Sequence, residues 1–592
     1  MALKLSDYVI DRVKKQGVSH VFEFVGGAIV HLLDSIATRQ DMVCVSVRHE
    51  QAAAFAAEAY ARVNGRLGVA MATSGPGALN LLTGIGSCYF DSVPCLFITG
   101  QVNTYEYKFD RHIRQIGFQE TDIVSVAKPL TKYAVLVTDP EQIRYEFEKA
   151  VFLAQSGRPG PVLLDIPMNV QRAQIDPASL VSFYDSEEYK EAVQAAELDE
   201  GTIKDIIDKL TQAKRPLLLA GGGIRASHSA DLLLAFVEKT GIPVVSSLLG
   251  LDVIAHDHPL FCGLIGSYGN RYSNLTLANC DFLLILGSRL DSRQTGTRPD
   301  TFARAAHIVH VDIDDNELNS KVTATTAIKA SLNHFLSILN LSLEGHQKTD
   351  ITDWLKQIDK LKALYPTYSF SPEGRAAEIE PNRLMEILSA KAKKTSTICL
   401  DVGQHQMWAS QSFRLTGKQR LLNSGGMGAM GFALPAALGA ALVTGEETLV
   451  IAGDGGIQLN IQELDTIVRL KLPVKIVVMN NHSLGMVRQF QDFYLEGRQQ
   501  STVNPNPAFV DIAKAYKIPA FQMKSMEDIH LLDAFLAVEG PSFLEVNLQK
   551  MTEVLPKLVV NRPIEDMHPF LKREELKEIM LIPLADEIDY PT

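Results

Sequence analysis

Short runs of β-branched residues and leucine alternate with longer stretches of helical period along most of this chain. Val43 to Val47, Val69 to Thr73, Leu96 to Thr99 and Val162 to Asp165 read as buried strands, set among helical segments between Ser6 and about Arg172. A second series opens with Leu217 to Ala220. A third opens with Ile398 to Asp401 and continues with Leu449 to Ala452 and Lys475 to Met479. Strands that are apolar throughout and joined by helices predict parallel sheets covered on both faces, so the fold class expected is α/β with doubly wound sheets. Leu5 to Gln16 reads as an amphipathic helix.

Breaks in the pattern divide the chain. At 592 residues it is too long for one core, and three domains are the natural expectation. The acidic stretch Asp185 to Glu200 reads as a linker and the charged stretch Glu344 to Arg375 as a connector. The tail from Pro556 is expected to wrap the surface or lie at the mouth of a site. The boundaries expected are 1–183, 184–355, 356–555 and the tail 556–592.

Composition narrows the partners. A net charge of -12 with no basic block argues against nucleic acid. No apolar run reaches membrane-spanning length and no secretory signal is legible, so no membrane partner is expected and the cytoplasm is the expected location. Six cysteines are scattered without a CxxC pair and read as buried thiols, and neither His nor Cys spacing suggests zinc.

The chemistry concentrates between Leu449 and Arg488. There a strand stops at Gly453-Asp454-Gly455-Gly456, a helix follows, and a second strand ends at Asn480-Asn481. Asp454 and Asn481 thus arrive at the carboxyl ends of parallel strands, where open α/β sheets bind ligands. Glycines let a backbone approach a phosphate, a helix start favours negative charge, and two hard oxygens suit magnesium. A tight turn after a buried strand would leave the same letters. Other segments are equally open taken singly: Glu50 could be a first-turn helix charge, Ser74-Gly75-Pro76-Gly77 a plain turn, and Gly221-Gly222-Gly223 a turn after a strand.

The Gly-Asp-Gly and Asn-Asn pair resembles the motif of thiamine diphosphate (ThDP) enzymes. Ser74 to Gly77, Asp91-Ser92-Val93-Pro94 and Ile98-Thr99-Gly100-Gln101-Val102, in that order, resemble the acetolactate synthase branch. The likeness covers roughly residues 1 to 555 and implies three domains of the ThDP-enzyme type. It implies that Glu50 is catalytic, reaching the aminopyrimidine of ThDP bound mainly by a second subunit, with Gly26, Ser74 and Gln101 nearby. Val402, Gly403, Gln404 and His405 would meet the diphosphate. Gly428 and Met430 would lie against the bent cofactor, Met430 as its apolar wedge. Gly453, Asp454, Gly455, Gly456, Asn481, Ser483, Leu484, Gly485 and Met486 complete the ThDP set, with Asp454, Asn481 and Ser483 on Mg2+. The middle segment looks like a flavin domain. Gly221, Gly222, Gly223, Gly266, Gly269, Arg289, Asp291, Arg293 and Asp312 would hold a largely structural FAD.

Phe118 and Gln119 match the family's acceptor segment. Met168 stands where acetolactate synthases carry lysine, Phe490 where they carry tryptophan and Asn103 where they carry proline, so Phe118, Gln119, Met168 and Phe490 are the candidate substrate residues. Losing a cation at 168 points to a carboligase that decarboxylates pyruvate or a related 2-oxo acid and passes the acyl unit to a carbonyl acceptor, a ketone or keto sugar included. The alternative is a housekeeping acetolactate synthase that condenses two 2-oxo acids. A flavin-dependent 2-oxo acid oxidase and a silent regulatory homologue are remoter readings. A site shared between subunits implies a homodimer, or a dimer of dimers as a homotetramer.

Overall fold

The computed structural model describes residues 2–193, 198–345, 348–368, 378–503 and 505–586. Parts of the expected linker, of the connector and of the tail lie outside these residues.

Three domains each carry a six-stranded parallel sheet flanked by helices. The first sheet runs Val43–Ser46, His20–Phe24, Gly68–Ala72, Cys95–Gln101, Val162–Pro167, Tyr133–Leu136. The second runs Phe261–Leu264, Val244–Ser246, Pro216–Ala220, Phe282–Leu286, His307–Asp312, Thr326–Lys329. The third runs Arg420–Asn423, Thr397–Leu400, Thr448–Gly453, Val474–Asn480, Ser542–Asn547, Ala520–Met523. Numbered along the chain within each sheet, the order is 2-1-3-4-6-5 in the first and third and 3-2-1-4-5-6 in the second. The shared order gives the first and third units one topology. The second has the order of dinucleotide-binding sheets, whose cleft opens where the winding reverses.

Small residues let the first and third units meet closely. Helix Glu50–Asn64 buries Ala52, Ala53, Ala56 and Ala57 against helix Ala433–Thr444, which is itself alanine-rich. A side chain at Gly439 would stand 2.1 Å from the Ala56 carbonyl oxygen, so glycine is what permits the approach. Phe55 and Phe432 close the seam edge to face, 5.4 Å between centroids.

Two of the connecting stretches carry helices of their own. The connector is not all exposed chain: Thr352–Leu364 is a helix that buries Trp354, Ile358 and Leu361 beneath the second sheet, and Trp354 Nε1 donates to the Pro216 carbonyl at 3.0 Å. Its apolar face is spaced at 354, 358 and 361, a helical period that the surrounding charge hid. Within the linker, Glu187–Ala192 is a short helix capped by Ser186. The tail packs on the second unit: Arg271 donates to the Met567 carbonyl, Arg573 pairs with Asp566, and Leu576 and Ile579 join the core that holds Leu275. Among the described residues no helix is long and apolar enough to cross a membrane.

Candidate active site

The carboxyl end of the third sheet opens into a cavity of about 200 Å3. Strand Thr448–Gly453 delivers Asp454 as the first residue of helix Asp454–Leu459, and strand Val474–Asn480 delivers Asn481. The turn after strand Thr397–Leu400 adds Val402, Gly403, Gln404 and His405. The glycine-rich loop before helix Ala433–Thr444 adds Gly428 and Met430, and Ser483 to Met486 close the wall. Every third-unit residue that the resemblance assigned to ThDP therefore lines one cavity. Gly428 holds φ 68°, a left-handed turn that a side chain would strain.

Hydrogen bonds fix the polar wall. Asp454 Oδ1 accepts from Gly455 N at 3.0 Å and Oδ2 from Asn506 Nδ2 at 2.6 Å. Asn481 Nδ2 donates to Gln404 Oε1 at 2.7 Å, which turns Asn481 Oδ1 the other way. Burial pushes the Asp454 carboxyl up from its ordinary range, because its charge is partly stripped of water. Burial likewise pulls the His405 imidazole down to about 3, so it is neutral at working pH. Three residues of this lining have a buried polar atom with no partner, Ser483 Oγ, His405 Nε2 and Gln406 Nε2. Unpartnered polar atoms in the wall of a cavity with a carboxylate, an amide oxygen and a glycine turn suit a phosphate bridged to a hard cation.

Sequence reasoning missed Asp401. Its buried carboxylate accepts from Val402 N (2.8 Å), Gly431 N (2.9 Å) and Ala433 N (3.1 Å), tying together two walls of the cavity. The letters gave a signal only in hindsight, an acid ending an apolar strand. Asn506 and Trp408, the latter also in the wall, were missed as well.

Glu50 lies elsewhere. It opens helix Glu50–Asn64 at the carboxyl end of the first sheet, is only 6% exposed, and accepts from Asn80 Nδ2 at 2.9 Å through Oε2. Ser74 and Gly77 share this end of the sheet, and a side chain at Gly77 would come within 3.1 Å of Glu50 Oε1. Gly26 abuts Thr73 there, and Gln119 abuts Gly75. Phe118 is 84% exposed, and Met168 follows the strand that pairs with Gln101. None of Glu50, Phe118, Gln119 or Met168 lines the cavity of the third sheet, whereas Phe490 stands 54% exposed one turn along the helix from Met486, which does. Gln101 turns inward: its Nε2 donates to the Thr121 carbonyl at 2.8 Å and to Asp165 Oδ2 at 2.9 Å.

The second sheet carries a cleft of about 370 Å3 at its reversal point, lined by Gly222, Gly223, Arg289, Asp291, Arg293 and Asp312 among others. Three assigned glycines serve behind it. A side chain at Gly221 would meet the Gly287 carbonyl oxygen at 2.1 Å, and one at Gly266 the Arg293 carbonyl oxygen at 2.3 Å, while Gly269 closes the same turn as Gly266. Arg293 lines this cleft and the third-sheet cavity alike.

Three stretches match domains of one family, described as the N-terminal TPP binding, central and C-terminal TPP binding domains of thiamine pyrophosphate enzymes, over residues 3–126, 203–339 and 401–546. The chain belongs to the thiamine pyrophosphate enzyme family, whose cofactor is the ThDP named above. Within it the protein is acetolactate synthase-like. It is 36% identical over 581 residues to the acetolactate synthase large subunit of Lactococcus lactis subsp. lactis (strain IL1403), covering 97% of each chain. It is 38% identical over 584 residues to acetolactate synthase 2, chloroplastic, of Zea mays, covering 95% of this chain and 88% of that one. It is 35% identical over 556 residues to acetolactate synthase isozyme 2 large subunit of Escherichia coli (strain K12), covering 93% of this chain and 96% of that one.

Proposed function

We propose that this protein condenses two 2-oxo acids, releasing carbon dioxide from the donor, in the manner of an acetolactate synthase. The observation that carries this reading is Arg293. It is the one cation in the described lining of the third-sheet cavity, and it supplies a partner for an acceptor carboxylate that Met168 cannot. The relatives are named acetolactate synthases, and nothing in the comparisons or the cavity favours a keto-sugar acceptor. A neutral ketone as acceptor is the second reading, favoured by Met168 and Phe490.

ThDP, when bound, supplies the carbanion chemistry. Asp454 and Asn481, with Ser483, would hold Mg2+ on its diphosphate, and His405 would stand beside the diphosphate in the same wall. Met430 would press the cofactor from the glycine loop, and Glu50 of a second copy would hold a proton at the aminopyrimidine. Gly222, Gly223, Arg289, Asp291, Arg293 and Asp312 would hold FAD in the cleft of the second sheet. The boundaries 1–183, 184–355, 356–555 and 556–592, a homodimer or homotetramer, and a cytoplasmic location belong to the same proposal.

Incubation with pyruvate alone tests it: acetolactate is expected to accumulate without any added acceptor. Release of carbon dioxide without ligation, restored by a neutral ketone, would favour the second reading. Arg293→Met is expected to lower kcat/KM for the acceptor about tenfold or more, the worth of a charge-assisted hydrogen bond. The flavin band of the purified protein is expected to stay unbleached during anaerobic turnover, because carboligation involves no net redox change. Stoichiometric bleaching would move the assignment to an oxidase.

A further inference from the structure

We infer that Asn506 orients the Asp454 carboxylate for its cation, as the middle member of a relay that starts at Glu545. The inference rests on the reading of Asp454 and Asn481 as the metal site, and it adds a positioning residue that no motif marks.

Asn506 Nδ2 donates to Asp454 Oδ2 at 2.6 Å and to Asn480 Oδ1 at 2.8 Å. Asn480 Nδ2 in turn donates to Glu545 Oε1 at 2.8 Å, and Glu545 Oε2 accepts from Gln522 Nε2 at 3.2 Å. Amide orientations are ordinarily ambiguous, but here both ends are carboxylates, which only accept. Each amide must therefore present its nitrogen to the acid it faces, which fixes both amide orientations, with Asn506 donating outward to Asp454 on one side and to Asn480 on the other.

Near Asn506 in sequence, Thr502 and Val503 lie against the cavity wall: Leu484 N donates to the Thr502 carbonyl at 2.8 Å and Ser483 bridges to Val503. Asn480 ends a strand and Glu545 lies on the neighbouring one, in the rigid centre of the sheet. With Oδ2 held by Asn506 and Oδ1 by the Gly455 amide, Asp454 is confined to one rotamer and its remaining lone pairs point into the cavity. Asn481 is held in a similar way, its Nδ2 donating to Gln404 Oε1 and its Oδ1 accepting from Ser483 N at 3.1 Å.

Removal of such an outer partner typically costs about 10–100-fold in metal affinity. Trp408, one of only two tryptophans, lines the cavity and reports its occupancy. The experiment titrates Mg2+ into the full-length protein at saturating ThDP and follows tryptophan fluorescence, for wild type, Asn506→Ala and Thr502→Ala. Thr502→Ala removes a hydrogen bond to Gln491 from the same segment without touching the relay. Expected is a tenfold or greater loss of Mg2+ affinity in Asn506→Ala, with Thr502→Ala within twofold of wild type and all three melting alike without cofactors. Asn506 is half-buried in a surface segment, so its truncation is expected to fold. Asn506→Ala binding Mg2+ as wild type does, or Thr502→Ala losing as much, overturns the inference. A wild type that takes up no ThDP with Mg2+ sinks instead the metal-site reading beneath it.

Discussion

Glu50→Gln is expected to lower the rate of decarboxylation by about 10²–10⁴-fold, the usual worth of a positioned acid or base, while Mg2+ and ThDP still bind. Glutamine keeps the shape and the Asn80 contact but cannot accept a proton. The structure adds a sharper form of this expectation, because Glu50 and Asp454 sit at the ends of different sheets and only Asp454 lines the cavity. Around Glu50 the surface exposes Val25, Leu79 and Phe118, an apolar setting suited to a second copy. If the working site joins Glu50 of one chain to Asp454 of another, two inactive variants should rescue each other. A hybrid dimer of Glu50→Gln and Asp454→Asn chains has one site with both defects and one with neither. Equal mixing and reassociation would then return about a quarter of wild-type activity, since half the dimers are hybrids with one good site each. Continued inactivity of the mixture, with hybrids verified by mass, would place the complete site within one chain.

How far the sequence carried follows from what each feature is made of. The strands Val162–Pro167, Pro216–Ala220 and Val474–Asn480 are buried along their whole length and written mostly in apolar letters, interrupted only by Asp165, Lys475 and the closing Asn480, so they were legible. His20–Phe24 was not, because its Glu23 is buried within a strand and held by Ser46. Helix Thr352–Leu364 was hidden because its three fully buried residues, Trp354, Ile358 and Leu361, are interleaved with Asp353, Lys356, Asp359, Lys360 and Lys362. From the letters alone came Asp454, Asn481 and the glycine turn at the strand ends; the other residues that line the third-sheet cavity were named through the family resemblance. Asp401, Asn80 and Asn506 escaped because they act on other side chains or amides from distant positions, and no local spacing encodes that. Arg293 was placed on one cleft and serves two, a fact that only the packing of the second unit against the third supplies.

Asp454→Asn is expected to abolish uptake of ThDP at millimolar Mg2+, an effect larger than any outer-partner substitution. Mg2+ sheds its water reluctantly and is held by few protein oxygens, so removing the one carboxylate among the described lining residues removes most of the attraction that offsets that dehydration. The amide keeps the volume and can still accept from Gly455, so the loss is one of charge together with the acceptor that Asn506 uses. Stability should respond differently. Burial raises the Asp454 carboxyl, which means that the empty protein bears the cost of a poorly hydrated charge. A neutral isostere lifts that cost, and the cofactor-free variant is expected to melt no lower than the cofactor-free wild type. The two then part on addition of ThDP and Mg2+: the wild type gains by about RT ln(1 + [L]/Kd), roughly 2.7 kcal/mol at a ligand concentration of 100 Kd, and the variant gains nothing. Thermal melts with and without the cofactor pair check both halves. Equal stabilisation of the two proteins would remove Asp454 from the metal site, and a collapse of the empty variant would make its carboxylate a structural group instead.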